Sequence, residues 1–212
     1  ITGRKNNIFR STIVRTYIGM LISVSVVIAI SLFAEGIYES FGEAMRYATF
    51  QVVSYTTTTG FATADANTWT PLAIVLLVFG SVICGCAGST SGGMKVDRLF
   101  IACKVITNRM RLQQHHSAVI RTKVDGTVQE ESTLSLVMTF IVAYIMLVLI
   151  GTIVYTMFGC DLTTGFTASI ACISNVGPGF GDVVSMANYA SLPAVLKFFS
   201  ALWMLIGRLE IF

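Results

Sequence analysis

FGEAMRYATFQVVSYTTTTGFATAD, residues Phe41–Asp65, decides how this chain is read. Its first part, through Tyr55, is moderately apolar. As a helix of about 15 residues it reaches about 22 Å, enough to enter a bilayer and too little to cross one. The polar turn TTTTGFATAD follows at once. A second stretch, FGCDLTTGFTASIACISNVGPGFGD (Phe158–Asp182), has the same design, a short helix and then the turn NVGPGFGD. One offset of 117 residues puts Phe41-Gly42 on Phe158-Gly159, Gly60 on Gly177 and Asp65 on Asp182, with no gap. Internal duplication is common in transport folds and tends to place the substrate path at the repeat interface. The duplication points to a pore or transporter without naming what passes.

Composition sets the solvent. Of 212 residues, 54% are hydrophobic and 12% charged, where a soluble domain carries about 25% charged residues. Mean hydropathy is +0.76. Spans are expected from about Thr16 to Ala34, from Trp69-Thr70-Pro71 through Cys84, from about Leu134 to Phe158, and from about Leu192 onward. An amphipathic segment, VDRLFIACKVITNRM, follows Lys95. Cations cluster before the first span (Arg4, Lys5, Arg10, Arg15) and between Arg98 and Lys123. The segments Glu35–Thr68 and Gly159–Ser191 hold only Arg46 against Glu35, Glu39, Glu43, Asp65, Asp161 and Asp182. The positive-inside rule then places the N-terminus and the 98–130 region in the cytoplasm and the acidic segments outside. The chain opens at Ile1 and stops at Phe212 within an apolar run, so a longer polypeptide is expected.

Non-helical backbone at membrane depth is tolerated only where it is buried in protein or lines water. Glycine permits φ > 0, so successive carbonyls can be turned toward one axis. Rings of such carbonyls can replace the hydration shell of a potassium ion. The partly negative C-terminal ends of the short helices, pointing into the bilayer, suit a cation. The plain alternative is a re-entrant turn that only packs other helices.

TTTTGFATAD, GCAGSTSGGMKV, NVGPGFGD and GRLEIF, in this order over essentially the whole chain, resemble the C-terminal half of a Trk-type potassium uptake protein of the Trk/Ktr/HKT superfamily. The resemblance implies an all-α membrane protein with two span–pore helix–filter loop–span repeats, half of a four-repeat, potassium-channel-like pore. The expected divisions are 1–97 (third-type repeat), 98–131 (cytoplasmic basic linker) and 132–212 (fourth-type repeat). Gly60 and Gly177 are then the filter glycines. Thr57, Thr58, Thr59, Asn175 and Val176 supply neighbouring carbonyls, with Thr58, Thr59, Asn175 and Val176 the potassium ligands through backbone oxygen. Pro178, in place of a bulky aromatic, implies a less rigidly buttressed filter. Also implied are a bacterial inner-membrane location, potassium as the transported ion with no organic cofactor, and a homodimer. A peripheral cytosolic nucleotide-binding subunit and an N-terminal half of the same polypeptide complete the expected assembly; no nucleic acid is expected. Alternatives are a sodium/potassium transporter of low selectivity and a non-transporting scaffold.

The run GCAGSTSGGMK (Gly85–Lys95) interrupts the second span. A phosphate-cradling loop fits it poorly: the G-x-x-x-x-G-K-[ST] spacing is absent, Lys95 follows Met94 rather than glycine, and the upstream segment reads as a membrane span. Arg208 lies deep in the last span, where a charge costs at least about 2.5–3.5 kcal/mol and needs a partner or water. The offset maps it to Ser91. The expectation is a gate: Gly88, Ser89, Thr90, Ser91, Gly92 and Gly93 lie across the pore inside the filter, and Arg208 adds positive charge there. The resemblance supports this, since the family gates with an intramembrane loop. A plain helix kink is the competing account.

In the linker, Arg98, Lys104, Arg109, Arg111, Arg121 and Lys123 accompany His115-His116. They set topology or dock a regulatory partner or anionic lipid. Cys84, Cys86, Cys103, Cys160 and Cys172 show no zinc spacing and read as small buried side chains. No triad or metal set indicates an enzyme.

Overall fold

The apolar runs anticipated at 16–34 and 134–158 form the two longest helices, α1 (Thr12–Ala34) and α5 (Glu131–Met157). Between and after them come α2 (Phe41–Thr56), α3 (Pro71–Val82), α4 (Val96–Gln114), α6 (Leu162–Ile173) and α7 (Ala194–Arg208). The structure, a computed structural model, describes residues 11–86, 88–89, 91–114, 122–124, 127–186 and 188–209. With 23 and 27 residues, α1 and α5 reach about 35 and 40 Å, longer than a bilayer's apolar core. Both turn large apolar side chains outward: Ile22, Ile30 and Phe33 on α1, Leu136, Val142, Ile145, Leu149 and Ile153 on α5. Such a surface suits lipid and not water. The chain is an all-α membrane protein built on two span–short helix–loop–span units.

Each short helix packs mainly on the span before it, α2 on α1 and α6 on α5. Small residues make the second contact close, because Gly151 leaves room for Ser169, whose Oγ donates to the Val148 carbonyl at 3.0 Å. Helix starts are set by capping oxygens: Ser40 Oγ accepts from Glu43 N, Thr70 Oγ1 from Ala73 N ahead of Pro71, and Asp161 from Thr163 N. That last cap corrects part of the sequence alignment. Phe41-Gly42 open α2, whereas Phe158-Gly159 form the turn closing α5, with Gly159 at φ +89°. The two short helices coincide at their C-terminal ends, Thr56 and Ile173, which the offset of 117 matches, and not at their starts.

The second span is interrupted, as its composition indicates. After α3 the chain runs as β1 (Ile83–Cys84), loops through 85–93, and returns as β2 (Met94–Lys95), parallel to β1 with Ile83 opposite Met94. Val96 N donates to the Gly85 carbonyl at 3.2 Å, so the loop leaves and rejoins at one point before α4 continues. Gly88 and Gly93 take φ +85° and +67°, a region glycine occupies without penalty. In the expected linker, residues 98–114 are helical rather than loop. Arg98 lies 3.9 Å above the Phe140 ring of α5. A small hairpin, β3 (Lys123–Val124) with β4 (Thr127–Val128), is tied to α4 by Lys104 Nζ on the Lys123 carbonyl, 2.7 Å. His115, His116 and Arg121 lie outside the described residues.

The two units interlock. Val176 and Phe180, from the second unit's loop, are buried with Leu32, Val52, Tyr55 and Leu77 of the first. Met94, from the first unit, packs among Phe140, Tyr144, Ile173 and Trp203 of the second. Asn67 clamps Gly181 by both backbone groups: Asn67 Nδ2 donates to the Gly181 carbonyl at 3.0 Å and Oδ1 accepts from Gly181 N at 3.1 Å. Asn67→Ala removes both bonds. It is expected to lower the stability of the full-length protein by about 1 kcal/mol, the lower range because the site is exposed. Thermal unfolding in detergent reads this, and an unchanged midpoint contradicts the clamp.

Candidate functional site

The loops after α2 and α6 are built on one backbone frame. Thr57 N donates to the Val53 carbonyl, Thr58 N to Tyr55, and Thr59 and Gly60 N both to Ser54. In the second loop Ser174 N donates to Ile170, Asn175 N to Cys172, and Val176 and Gly177 N both to Ala171. Every donor and acceptor corresponds at the offset of 117. The conformations repeat as well: Thr58 and Asn175 take φ +55° and +56°, Gly60 and Gly177 φ +76° and +101°.

This frame fixes where the carbonyls go. All described peptides are trans, and a trans peptide sets its C=O antiparallel to its N–H. With the N–H groups of 57–60 and 174–177 turned back onto the short helices, the carbonyls of 56–59 and 173–176 point away from them. Among the described residues no hydrogen bond ends on the carbonyls of Thr57, Thr58, Thr59, Asn175 or Val176. These groups are expensive to leave dry and unpaired. They form two oxygen-lined strips, each at the partly negative end of a helix.

The predicted filter residues are brought together. The loops meet at Gly60, where a Cβ would run into the Val176 carbonyl oxygen and reach Pro178 Cδ at 3.3 Å. Two side chains of the loops are occupied elsewhere: Thr57 Oγ1 donates to the Val53 carbonyl, and Asn175 Nδ2 donates to the Met204 carbonyl of α7 at 3.1 Å. Their backbone oxygens are what they present. The Gly177 carbonyl differs, since it accepts from Tyr189 Oη at 2.9 Å.

Around the strips the pore helices hold the outer parts of the loops, by different side chains in each unit. In the first, Ser54 Oγ donates to the Phe61 carbonyl at 2.6 Å and Gln51 Nε2 to the Ala64 carbonyl at 2.7 Å. In the second, Thr167 Oγ1 accepts from Phe180 N at 2.9 Å and lies 3.2 Å from the Phe180 carbonyl. The inner end of the second strip is held from α5, where Tyr144 Oη and Ser174 Oγ lie 2.7 Å apart.

The glycine-rich loop lies at that same inner end. A Cβ on Gly92 would collide with the Ser174 carbonyl oxygen and come 3.1 Å from Asn175 Cβ; one on Gly93 would meet Cys84 Sγ at 2.6 Å and Ser174 Oγ at 3.1 Å. A Cβ on Gly207 would strike the Ile173 carbonyl oxygen. The two innermost carbonyls of the second strip are therefore faced by Gly207 and Gly92. Ser89 and Ser91 hydroxyls lie 2.5 Å apart and brace the loop, while Gly88 sits exposed with open space around it. Arg208, the last residue of α7, follows Gly207 directly and is exposed. Thr90 and Glu210 lie outside the described residues. The charge thus follows directly on the glycine that abuts the Ile173 carbonyl.

Comparison with known proteins bears on this geometry. The TrkH family profile, described as cation transport protein, matches residues 13–212. The chain belongs to this family. The Trk system potassium uptake protein TrkH of Salmonella typhimurium is 33% identical over 213 residues, covering 100% of this chain and 44% of that protein. TrkI of Halomonas elongata, a Trk system potassium uptake protein, is 33% identical over 168 residues, 79% of this chain and 34% of that one. The crystal structure of the potassium transporter TrkH from Vibrio parahaemolyticus superposes with a TM-score of 0.88 at 32% identity, covering 96% of this chain and 43% of that one. The chain spans less than half the length of these TrkH relatives.

Sequence reasoning missed Asn67, Tyr144, Thr167 and Tyr189. Each is a single polar residue whose partner is a backbone group or hydroxyl distant in sequence, so no local spacing signals it.

Proposed function

We propose that the full-length protein conducts potassium across the bacterial inner membrane through a filter of backbone carbonyls, and that the glycine-rich loop with Arg208 is its gate. The observation carrying this reading is the shared frame of the two loops, which frees the carbonyls of Thr57, Thr58, Thr59, Asn175 and Val176 as ion ligands. Potassium as the ion is supported by the names of the TrkH and TrkI relatives. Two strips close only part of a ring. Further repeats of the same polypeptide, expected from the relatives' greater length, supply the rest. Closure is supported by the contacts of Gly92 and Gly207 with the innermost carbonyls. A homodimer regulated by a cytosolic nucleotide-binding subunit completes the proposal; the cationic Lys104, Arg109 and Arg111 on α4 offer that subunit or an acidic lipid a docking face.

Gly60→Ser strains a residue at φ +76° and drives a side chain into the opposite loop, whereas Gly177→Ser strains φ +101° with open space around it. Both are expected to reduce the preference for potassium over sodium, Gly60→Ser more severely. Rubidium uptake in competition with sodium, normalised to membrane abundance, reads the effect. Selectivity that survives both changes rejects the filter. Arg208→Ala removes positive charge from the inner mouth and is expected to raise potassium flux several-fold at equal abundance, about what a 1 kcal/mol change in a barrier gives. Unchanged or lower flux removes the arginine from the gate.

A further inference from the structure

The peptide joining Gly177 to Pro178 lies just beyond the second strip, past the reach of the helix frame. Its nitrogen belongs to proline and carries no N–H, so the pinning that orients the four preceding peptides stops at Gly177 N. Gly177 adds freedom: φ is +101° and no atom lies within 4 Å of where a Cβ would be. In the first loop the corresponding peptide joins Gly60 to Phe61; among the described residues no hydrogen bond leaves the Phe61 N–H either, but Gly60 is packed against Val176. The second loop alone combines an unpinned peptide with an uncrowded glycine.

Among the described residues one hydrogen bond holds this peptide, from Tyr189 Oη to the Gly177 carbonyl at 2.9 Å. The hydroxyl is itself set from behind. Cys172 Sγ, on α6, donates to it at 3.8 Å, and Tyr155 Oη of α5 lies 3.5 Å from the same sulfur. Tyr155 Oη lies 2.6 Å from Ser200 Oγ, which donates to the Leu196 carbonyl of α7 at 2.7 Å. Three helices thus converge on one filter carbonyl.

We infer that Tyr189 is a positioning residue for ion selection: its hydroxyl holds the Gly177 carbonyl, and so fixes the peptide that adjoins the Asn175 and Val176 oxygens at the end of the second strip. This rests on the filter reading of the two loops. Discrimination between potassium and sodium depends on the number and placement of coordinating carbonyls, and a carbonyl free to swing serves the smaller ion as readily as the larger.

The test is Tyr189→Phe in the full-length protein, which keeps the ring and deletes one oxygen, measured beside Gly177→Ser and the double variant. Rubidium uptake competed by sodium is expected to show the potassium preference of Tyr189→Phe reduced about fivefold, the factor one neutral hydrogen bond is worth. Rubidium uptake itself persists. In the double variant Tyr189→Phe should add little to Gly177→Ser, because both act on one peptide. Undiminished selectivity in Tyr189→Phe, or full additivity in the double variant, overturns the inference. So does failure of Tyr189→Phe to accumulate in the membrane, which would make the hydroxyl part of the fold and not of selection. If Gly177→Ser and Gly60→Ser are both without effect, the filter reading fails instead.

Discussion

Four consecutive N–H groups folded back onto the end of a short helix are the constraint on which this structure depends. A helix stopping inside a bilayer leaves its last carbonyls without partners, in a medium where each such group is costly. The N–H groups of Thr57, Thr58, Thr59 and Gly60 satisfy carbonyls of α2, and those of Ser174 through Gly177 do so for α6. Satisfying the helix turns the opposite sides of the same peptides outward. The unpaired carbonyls are not a defect of the loops; they are the unavoidable counterpart of a well-terminated pore helix. Left-handed backbone at Thr58 and Asn175, uncommon for residues with a Cβ, is tolerated because the flanking hydrogen bonds hold it.

The remainder of the fold keeps these two strips in register. Val176 and Phe180 are buried in the first unit, Met94 in the second, and Asn67 grips Gly181. Close approach decides where glycine is needed at the inner end. Gly92 and Gly207 abut the carbonyls of Ser174 and Ile173, so loop and last helix both reach the mouth without an intervening side chain. The interrupted span departs and returns at the parallel pair of β1 and β2, which joins the end of α3 to the start of α4.

Much of this was legible in the sequence, and the reasons are specific. Spans announced themselves by apolar length, and the break at Gly85–Lys95 by composition. The offset of 117 located Gly60 and Gly177 because φ > 0 beside a helix end demands glycine at equivalent places. It misled at Phe41-Gly42 and Phe158-Gly159, where a recurring dipeptide sits in a helix start in one unit and a turn in the other. Nothing in the residue types of Thr58 and Asn175 signals their shared left-handed conformation, which is imposed by backbone hydrogen bonds. Tyr189, Tyr144 and Asn67 act on partners 12, 30 and 114 residues away in sequence. Only the folded arrangement reveals them.

The central claim is that backbone oxygens of these two loops bind the transported ion, and anomalous scattering tests it most directly. Crystals of the full-length protein grown in rubidium should show anomalous density between the loops, within coordination distance of carbonyls from Thr57–Thr59 and Asn175–Val176. Exchange of rubidium for sodium should weaken it. Rubidium density absent from this space, or bound only by side chains elsewhere in the molecule, would contradict the account.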